Sequence, residues 1–123
     1  MPHPSEHAPA ARALGAEEAE ALAEAMRAFG TGSRLRLLFA LLDGERTVEA
    51  LVASTGLAAS AASHQLRLLR QGRLVAVRRE GRHAYYRLHD HHVADLLAAI
   101  RHHHEHVRPA AQPALPAARE LAR

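Results

Sequence analysis

The spacing of polar and apolar positions changes along this chain, and each change marks an element. Ala16 to Phe29 has the spacing of an amphipathic helix, with Glu17, Glu18, Glu20 and Glu24 facing out and Gly30 near its end. Ser33 is placed to cap a second helix whose buried face is Leu35, Leu38, Phe39 and Leu42, with Gly44 as the stop. Thr47 opens a short third helix through about Ser54, with Leu51 and Val52 inward. Thr55 and Gly56 form a tight break. A fourth helix then runs from about Ala58 to Gln71 and Gly72, held by Leu66, Leu69 and Leu74. A short helix, a turn containing Gly and a second helix make a helix-turn-helix.

After Gly72 the period drops from 3.6 to 2. Leu74 to Arg79 and His83 to Leu88 flank Glu80 and Gly81, the pattern of a β-hairpin. A hairpin directly after a helix-turn-helix is a wing. From Asp90 to Val107 the spacing is helical again, through Val93, Ala94, Leu96, Leu97 and Ile100, with no Gly or Pro to interrupt it. Pro109, Pro113 and Pro116 among Ala then indicate a frayed tail. Residues 1–15, with little periodicity, read as a mobile arm. The expected fold is mainly α with a small β-hairpin (α+β). It is a dimeric winged helix-turn-helix in the order ααααββα, with one domain over 16–108 between a flexible arm (1–15) and a flexible tail (109–123).

Composition sharpens this picture in two ways. The chain has no Cys, which excludes disulfides, thiolate metal sites and thiol redox chemistry. No apolar run reaches membrane-span length and the first residues lack the regions of a secretory signal, so a cytoplasmic protein with no membrane partner is expected. Charge is unevenly placed. From Ala58 to Leu88 there are seven Arg against the single Glu80, an excess of +6 in a chain whose net charge is +3. Basicity concentrated in one segment is the footprint of a phosphate-contacting surface.

On the fourth helix, Ser60, Ser63, His64, Gln65 and Arg67 are the side chains a helix needs in a major groove. Ser and Gln reach base edges or phosphates, and Arg takes phosphate or guanine. Arg78, Arg79 and Arg82 gather at the hairpin, with His83 beside them, where they can follow the backbone or enter a minor groove. Any one Arg is ordinarily a solvated charge. The set, carried on a helix-turn-helix with a wing, reads as a binder of double-stranded DNA.

The last long helix carries different chemistry. Asp90, His92, His103 and His106 are nitrogen and oxygen donors for a borderline metal. The eleven steps from His92 to His103 rotate about 1100°, about 20° past three turns, so both imidazoles share one stripe of the helix. They also lie about 16.5 Å apart along it, too far for one ion with ligand bonds of about 2 Å. Two copies packed antiparallel close the gap, and a two-fold homodimer then carries two equivalent sites. Two plainer readings stand beside this one: a solvated polar run, and a local chelate between His102 and His106 (i, i+4).

The segments Ser63 to Val75, Arg79 to Arg82 and Tyr85 to Leu88 resemble the ArsR/SmtB family of winged-helix repressors, a likeness that covers about Ala16 to Val107. Its most specific part is the spacing of Asp90, His92, His103 and His106, similar to the family's metal site on the C-terminal dimer helix. The resemblance implies that Asp90 and His92 of one protomer and His103 and His106 of the other bind the metal. It also implies that the metal-free dimer holds an inverted-repeat DNA operator, and that metal lowers this affinity to release metal homeostasis or efflux genes. The family's arsenic- and cadmium-type sites need Cys, which is absent here.

One carboxylate and three imidazoles suit tetrahedral Zn(II). Imidazole equally suits Ni(II) and Co(II), which take more ligands, and His3 and His7 of the arm are the candidates for these. Three rivals remain. A metal-storage or delivery protein explains the histidines but leaves the basic helix-turn-helix unused. A winged helix with a non-metal effector, or one acting as an activator, fits the same scaffold. A metal-dependent hydrolase needs a substrate pocket and an open coordination position, which nothing in the pattern supplies, so the protein is not expected to be an enzyme.

Overall fold

The first helix, α1 (Ala16–Arg27), places Glu17 and Glu18 in its first turn, against the positive end of the helix dipole, and Arg27 in its last. Thr31 caps α2 (Gly32–Ala40): its backbone is extended and its hydroxyl accepts from the Arg34 N–H at 3.1 Å. The cap therefore lies two residues before the Ser33 suggested by the pattern. The buried face differs too. Leu37, Leu38 and Leu41 are sealed in the core, whereas Leu35 and Phe39 are half-buried and Leu42 is exposed. Every position from Leu37 to Leu42 is apolar, so spacing alone cannot choose the buried face. Packing against α4 does.

A short strand, β1 (Arg46–Thr47), follows, absent from the order read from the sequence because two residues carry no period. Thr47 also caps α3 (Val48–Thr55), accepting from the Ala50 N–H at 3.1 Å. Gly56 takes the left-handed conformation (φ 77°) that ends α3 and turns the chain into α4 (Ala59–Gln71). At the far end of α4 the left-handed residue is Arg73 (φ 62°), not Gly72. Leu74 N–H reaches back to the Leu69 carbonyl and Arg73 N–H to that of Arg70, the paired bonds of a Schellman motif.

Strands β2 (Val75–Glu80) and β3 (His83–Leu88) form the wing, paired from Val75 with Leu88 to Glu80 with His83. The turn is therefore Gly81–Arg82, one residue later than expected. Only Gly81 has positive φ (62°), the requirement of a type II′ turn. β1 adds to the outer edge of β3, giving an antiparallel sheet in the order β1-β3-β2. The chain then enters α5 (His91–Ala111).

This computed structural model describes residues 12–111. His3 and His7, most of the arm expected over 1–15, and the tail beyond Ala111 lie outside the described residues. Ten apolar residues form the core: Leu37, Leu38 and Leu41 from α2 and its end, Leu51 from α3, Ala62, Leu66 and Leu69 from α4, Val75, and Val93 and Leu97 from α5. The core thus lies beneath α4 and fixes that helix against α2 and α3.

Candidate metal centre and nucleic-acid interface

Helix α5 starts where it does because Asp90 caps it. The Oδ1 atom accepts the backbone N–H of His92 at 3.0 Å and of Val93 at 3.4 Å, the donors that an N-cap side chain satisfies. The same oxygen lies 3.5 Å from His92 Nδ1. Oδ2 receives no hydrogen bond among the described residues. Desolvation at the helix start works to raise the Asp90 carboxyl, but the Val93 and His92 donors outweigh it and hold the group below its ordinary value. A carboxylate with one free oxygen therefore stands beside an exposed imidazole.

His103 and His106 are exposed further along the same helix. Among the described residues, no three His, Cys, Asp or Glu gather into a metal-binding group within one chain. The four residues singled out by spacing lie in two groups along α5, Asp90 and His92 at its start and His103 and His106 further on. The rings of His102 and His106 lie with centroids 4.6 Å apart and planes tilted by 54°, so these two imidazoles are neighbours on the helix surface. One carboxylate and three imidazoles are donors that a divalent borderline cation accepts, so the residues fit such an ion once both halves meet.

The surface around these two groups is apolar and open. Leu96, Ile100 and Val107 of α5 remain 44%, 44% and 56% exposed. Their spacing puts them on one side of the helix, with His103 between Ile100 and Val107 along it. Helix α1 buries no residue, and its Leu22 and Met26 are exposed. Two helices with unpartnered apolar faces are the mark of an association surface.

The basic surface is built differently. On α4 the core side is Ala62, Leu66 and Leu69; Ser60, His64 and Arg67 lie exposed on the opposite face, and Ser63 is half-buried on the flank between them. Ala58 offers no side-chain acceptor at the start of α4, leaving its first N–H groups open to an anion. Gln65 is different. It lies at the edge of the core side, and its Oε1 accepts from Arg34 Nε at 2.8 Å. Arg34 also donates to the Arg27 carbonyl at 3.1 Å, so it braces α4 against the end of α1. Sequence reasoning missed Arg34, because a contact across 31 residues leaves no periodic trace.

The wing arginines also divide. Arg79 and Arg82 are exposed and take part in no ion pair among the described residues. Arg78 is committed. Its Nε reaches Glu45 at 3.0 and 2.9 Å, its Nη1 reaches Glu80 at 2.6 Å, and its guanidinium lies 4.6 Å above the Tyr85 ring. The hydrogen bond from Arg78 holds the Glu45 carboxyl below its ordinary value, and the carboxylates of Glu45 and Glu80 raise Arg78 in turn. Arg78 thus ties the wing to the turn before β1.

A helix pair joined at a left-handed glycine, an exposed polar face on the second helix and a basic two-stranded wing define a winged helix-turn-helix DNA-binding protein. The family model described as "Bacterial regulatory protein, arsR family" matches residues 31–77. The chain is 43% identical over 90 residues to a "Transcriptional repressor SmtB homolog" of Synechocystis, covering 73% of this chain and 68% of that protein. It is 42% identical over 94 residues to the "HTH-type transcriptional regulator NmtR" of Mycobacterium tuberculosis, covering 76% and 78%. A possible ArsR-family transcriptional regulator from Mycobacterium bovis, solved as a homodimeric winged helix-turn-helix DNA-binding domain, matches with a TM-score of 0.68 and 35% identity over 78% of this chain and 92% of that one. The chain belongs to the ArsR family of bacterial regulatory proteins. Among the described residues, no helix is long and apolar enough to cross a membrane.

Proposed function

We propose that this regulator is a homodimeric repressor whose hold on DNA is weakened by a divalent metal, Zn(II) or Ni(II)/Co(II). The observation that carries the reading is the division of one donor set into two halves along a single helix beside an exposed apolar stripe. Antiparallel pairing of α5 across a two-fold axis buries Leu96, Ile100 and Val107 and brings Asp90 and His92 of one protomer to His103 and His106 of the other. Two equivalent sites follow from the symmetry. The bound cation supplies a cross-link between the protomers.

The remaining work belongs to the chain's own residues. Ser60, Ser63, His64 and Arg67 enter the major groove of each half of an inverted-repeat operator, and Arg79 and Arg82 hold the flanking backbone. Gln65 acts through Arg34, and Arg78 through the wing it braces. His103 links α5 to the helix-turn-helix by donating its second ring N–H to a neighbouring acceptor, as a ligating imidazole ordinarily does. The coupling is reciprocal: metal weakens DNA binding and DNA weakens metal binding by the same factor.

The test is fluorescence anisotropy on the native promoter, titrating each metal into the protein–DNA complex. His103→Ala is expected to lose the metal response while its metal-free DNA affinity stays within about twofold of the parent. Loss of metal-free DNA binding in this variant, or a full response without His103, overturns the reading. The neighbouring His102–His106 pair supports a second reading, a local chelate within one chain. His102→Ala separates the two, since it damages only the local chelate.

A further inference from the structure

Three guanidinium groups from three elements face one open cleft. Arg36 comes from α2, Arg46 from β1 and Arg101 from α5, and with Phe39, Asp43 and Ser54 they line a cavity of 730 Å³. Small-molecule sites typically enclose about 300–1,000 Å³. Each guanidinium is positioned by a contact of its own. Arg36 donates to the Thr55 carbonyl, Arg46 Nε donates to the Ala40 carbonyl at 2.8 Å, and Arg101 lies 4.3 Å above the Phe39 ring. These contacts use only part of the five N–H donors that each Arg carries.

Among the described residues, the charge in the cleft is not balanced by protein. None of the three Arg takes part in an ion pair among the described residues. Among the described residues Asp43 is the only carboxylate on the lining, which leaves an excess of two positive charges. Guanidinium forks match the paired oxygens of carboxylates and phosphates. Phe39 and the half-buried side of α2 give the cleft an apolar wall that suits an organic body rather than a bare ion.

We propose that this cleft binds a small organic anion carrying two or more negative oxygens, a polycarboxylate or an organic phosphate. It is separate from both surfaces already described. Ser60, His64, Arg67, Arg79 and Arg82 do not line it. Arg101 is about 100° around α5 from Ile100, off the apolar stripe. The cleft touches Ser54 at the end of α3, in the helix-turn-helix, and Arg101 on the helix that carries the histidines. An anion that favours one arrangement of these elements therefore shifts DNA affinity by its differential affinity for the two, giving the regulator a second input. The binding site rests on the cleft alone. The coupling rests on the DNA-binding reading above.

The experiment is isothermal titration of the full, metal-free chain with citrate and, separately, with inorganic pyrophosphate, at fixed ionic strength. At least one is expected to bind saturably, once per chain; citrate alone assigns a carboxylate ligand and pyrophosphate alone a phosphate one. Arg101→Gln should weaken that binding at least about tenfold, the loss of a charge-assisted contact. Arg70→Gln removes an equal charge elsewhere and should leave it unchanged, while Asp43→Asn should tighten it. No saturable binding of either anion, equal losses in the two Arg variants, or weaker binding in Asp43→Asn overturns the site. So does a result in which Arg101→Gln weakens only the binding of duplex DNA, which would make the cleft a phosphate-backbone contact. If an anion binds but leaves operator affinity unchanged, the coupling is overturned and the site stands.

Discussion

Helices α4 and α5 are both amphipathic, and only one of them is finished within a single chain. α4 buries Ala62, Leu66 and Leu69 against α2 and α3, and Ser60, His64 and Arg67 lie on the face that remains. α5 buries Val93 and Leu97 near its start and leaves Leu96, Ile100 and Val107 in solvent. Covering each of these three residues is worth on the order of 1–2 kcal/mol, so the unpaired face is a standing drive to associate. The difference teaches that the fold of one chain completes α4, whereas the exposed stripe of α5 needs a second surface to cover it. In the function proposed above, DNA reading rests on the first and metal sensing on the second.

The sharpest test of the contrast is to damage each helix where it is buried. Leu66→Ala removes a fully buried side chain under α4 and is expected to cost about 2–5 kcal/mol in urea unfolding, with DNA binding lost as the fold fails. The double change Leu96→Asp with Ile100→Asp should spare that core, shift sedimentation toward the monomer and weaken metal binding by 10-fold or more, on the order seen when a metal site loses its support. A monomer that still binds metal at parental affinity would break the contrast.

Smaller effects sharpen it within the DNA surface. Arg79→Ala or Arg82→Ala should lower the salt dependence of DNA binding by about one unit of slope each, as expected for a lost phosphate contact. Arg78→Ala should leave that slope nearly unchanged, because Glu45 and Glu80 already neutralise it. A drop of a full unit in Arg78→Ala would place Arg78 back among the phosphate contacts.

The smallest effect concerns pH. Asp90 has a carboxyl below its ordinary value, so the charged form is favoured by folding. Its contribution is present above the ordinary carboxylate range, at about pH 4, and fades as pH falls through the depressed value. Asp90→Asn keeps a side chain able to cap α5 and removes the charge. It should flatten the fall of Tm below about pH 4 while weakening metal binding at neutral pH. A variant with parental metal affinity would leave Asp90 a cap and nothing more.

Much of this was visible in the residues alone. The switch from a 3.6 to a 2 period after Gly72 located the wing, and Thr47 and Gly56 bounded α3, because caps and left-handed glycines act over a few residues. The same local physics placed His92 and His103 on one stripe of a helix. What stayed hidden was long-range. Ser33 is as plausible a cap as Thr31 until the chain direction before α2 is known. The pair Arg46–Thr47 is too short to show a period and becomes a strand only because Tyr85 and Tyr86 are there to pair with it. Gln65 and Arg78 looked equivalent to their neighbours, and Arg34 and Glu45 claim them from 31 and 33 residues away.

The sequence by itself determined the five helices and the two strands of the wing, where basic charge accumulates, and that Asp90 and His92 cannot meet His103 and His106 within one helix. These follow from backbone geometry and from spacing, which act between near neighbours. The tertiary structure decided which leucines of α2 are buried, which arginines keep their charge free for phosphate, and that Arg36, Arg46 and Arg101 share a cleft. Those outcomes depend on which surfaces compete for the same core and the same carboxylates, and that competition exists only once distant segments are packed together.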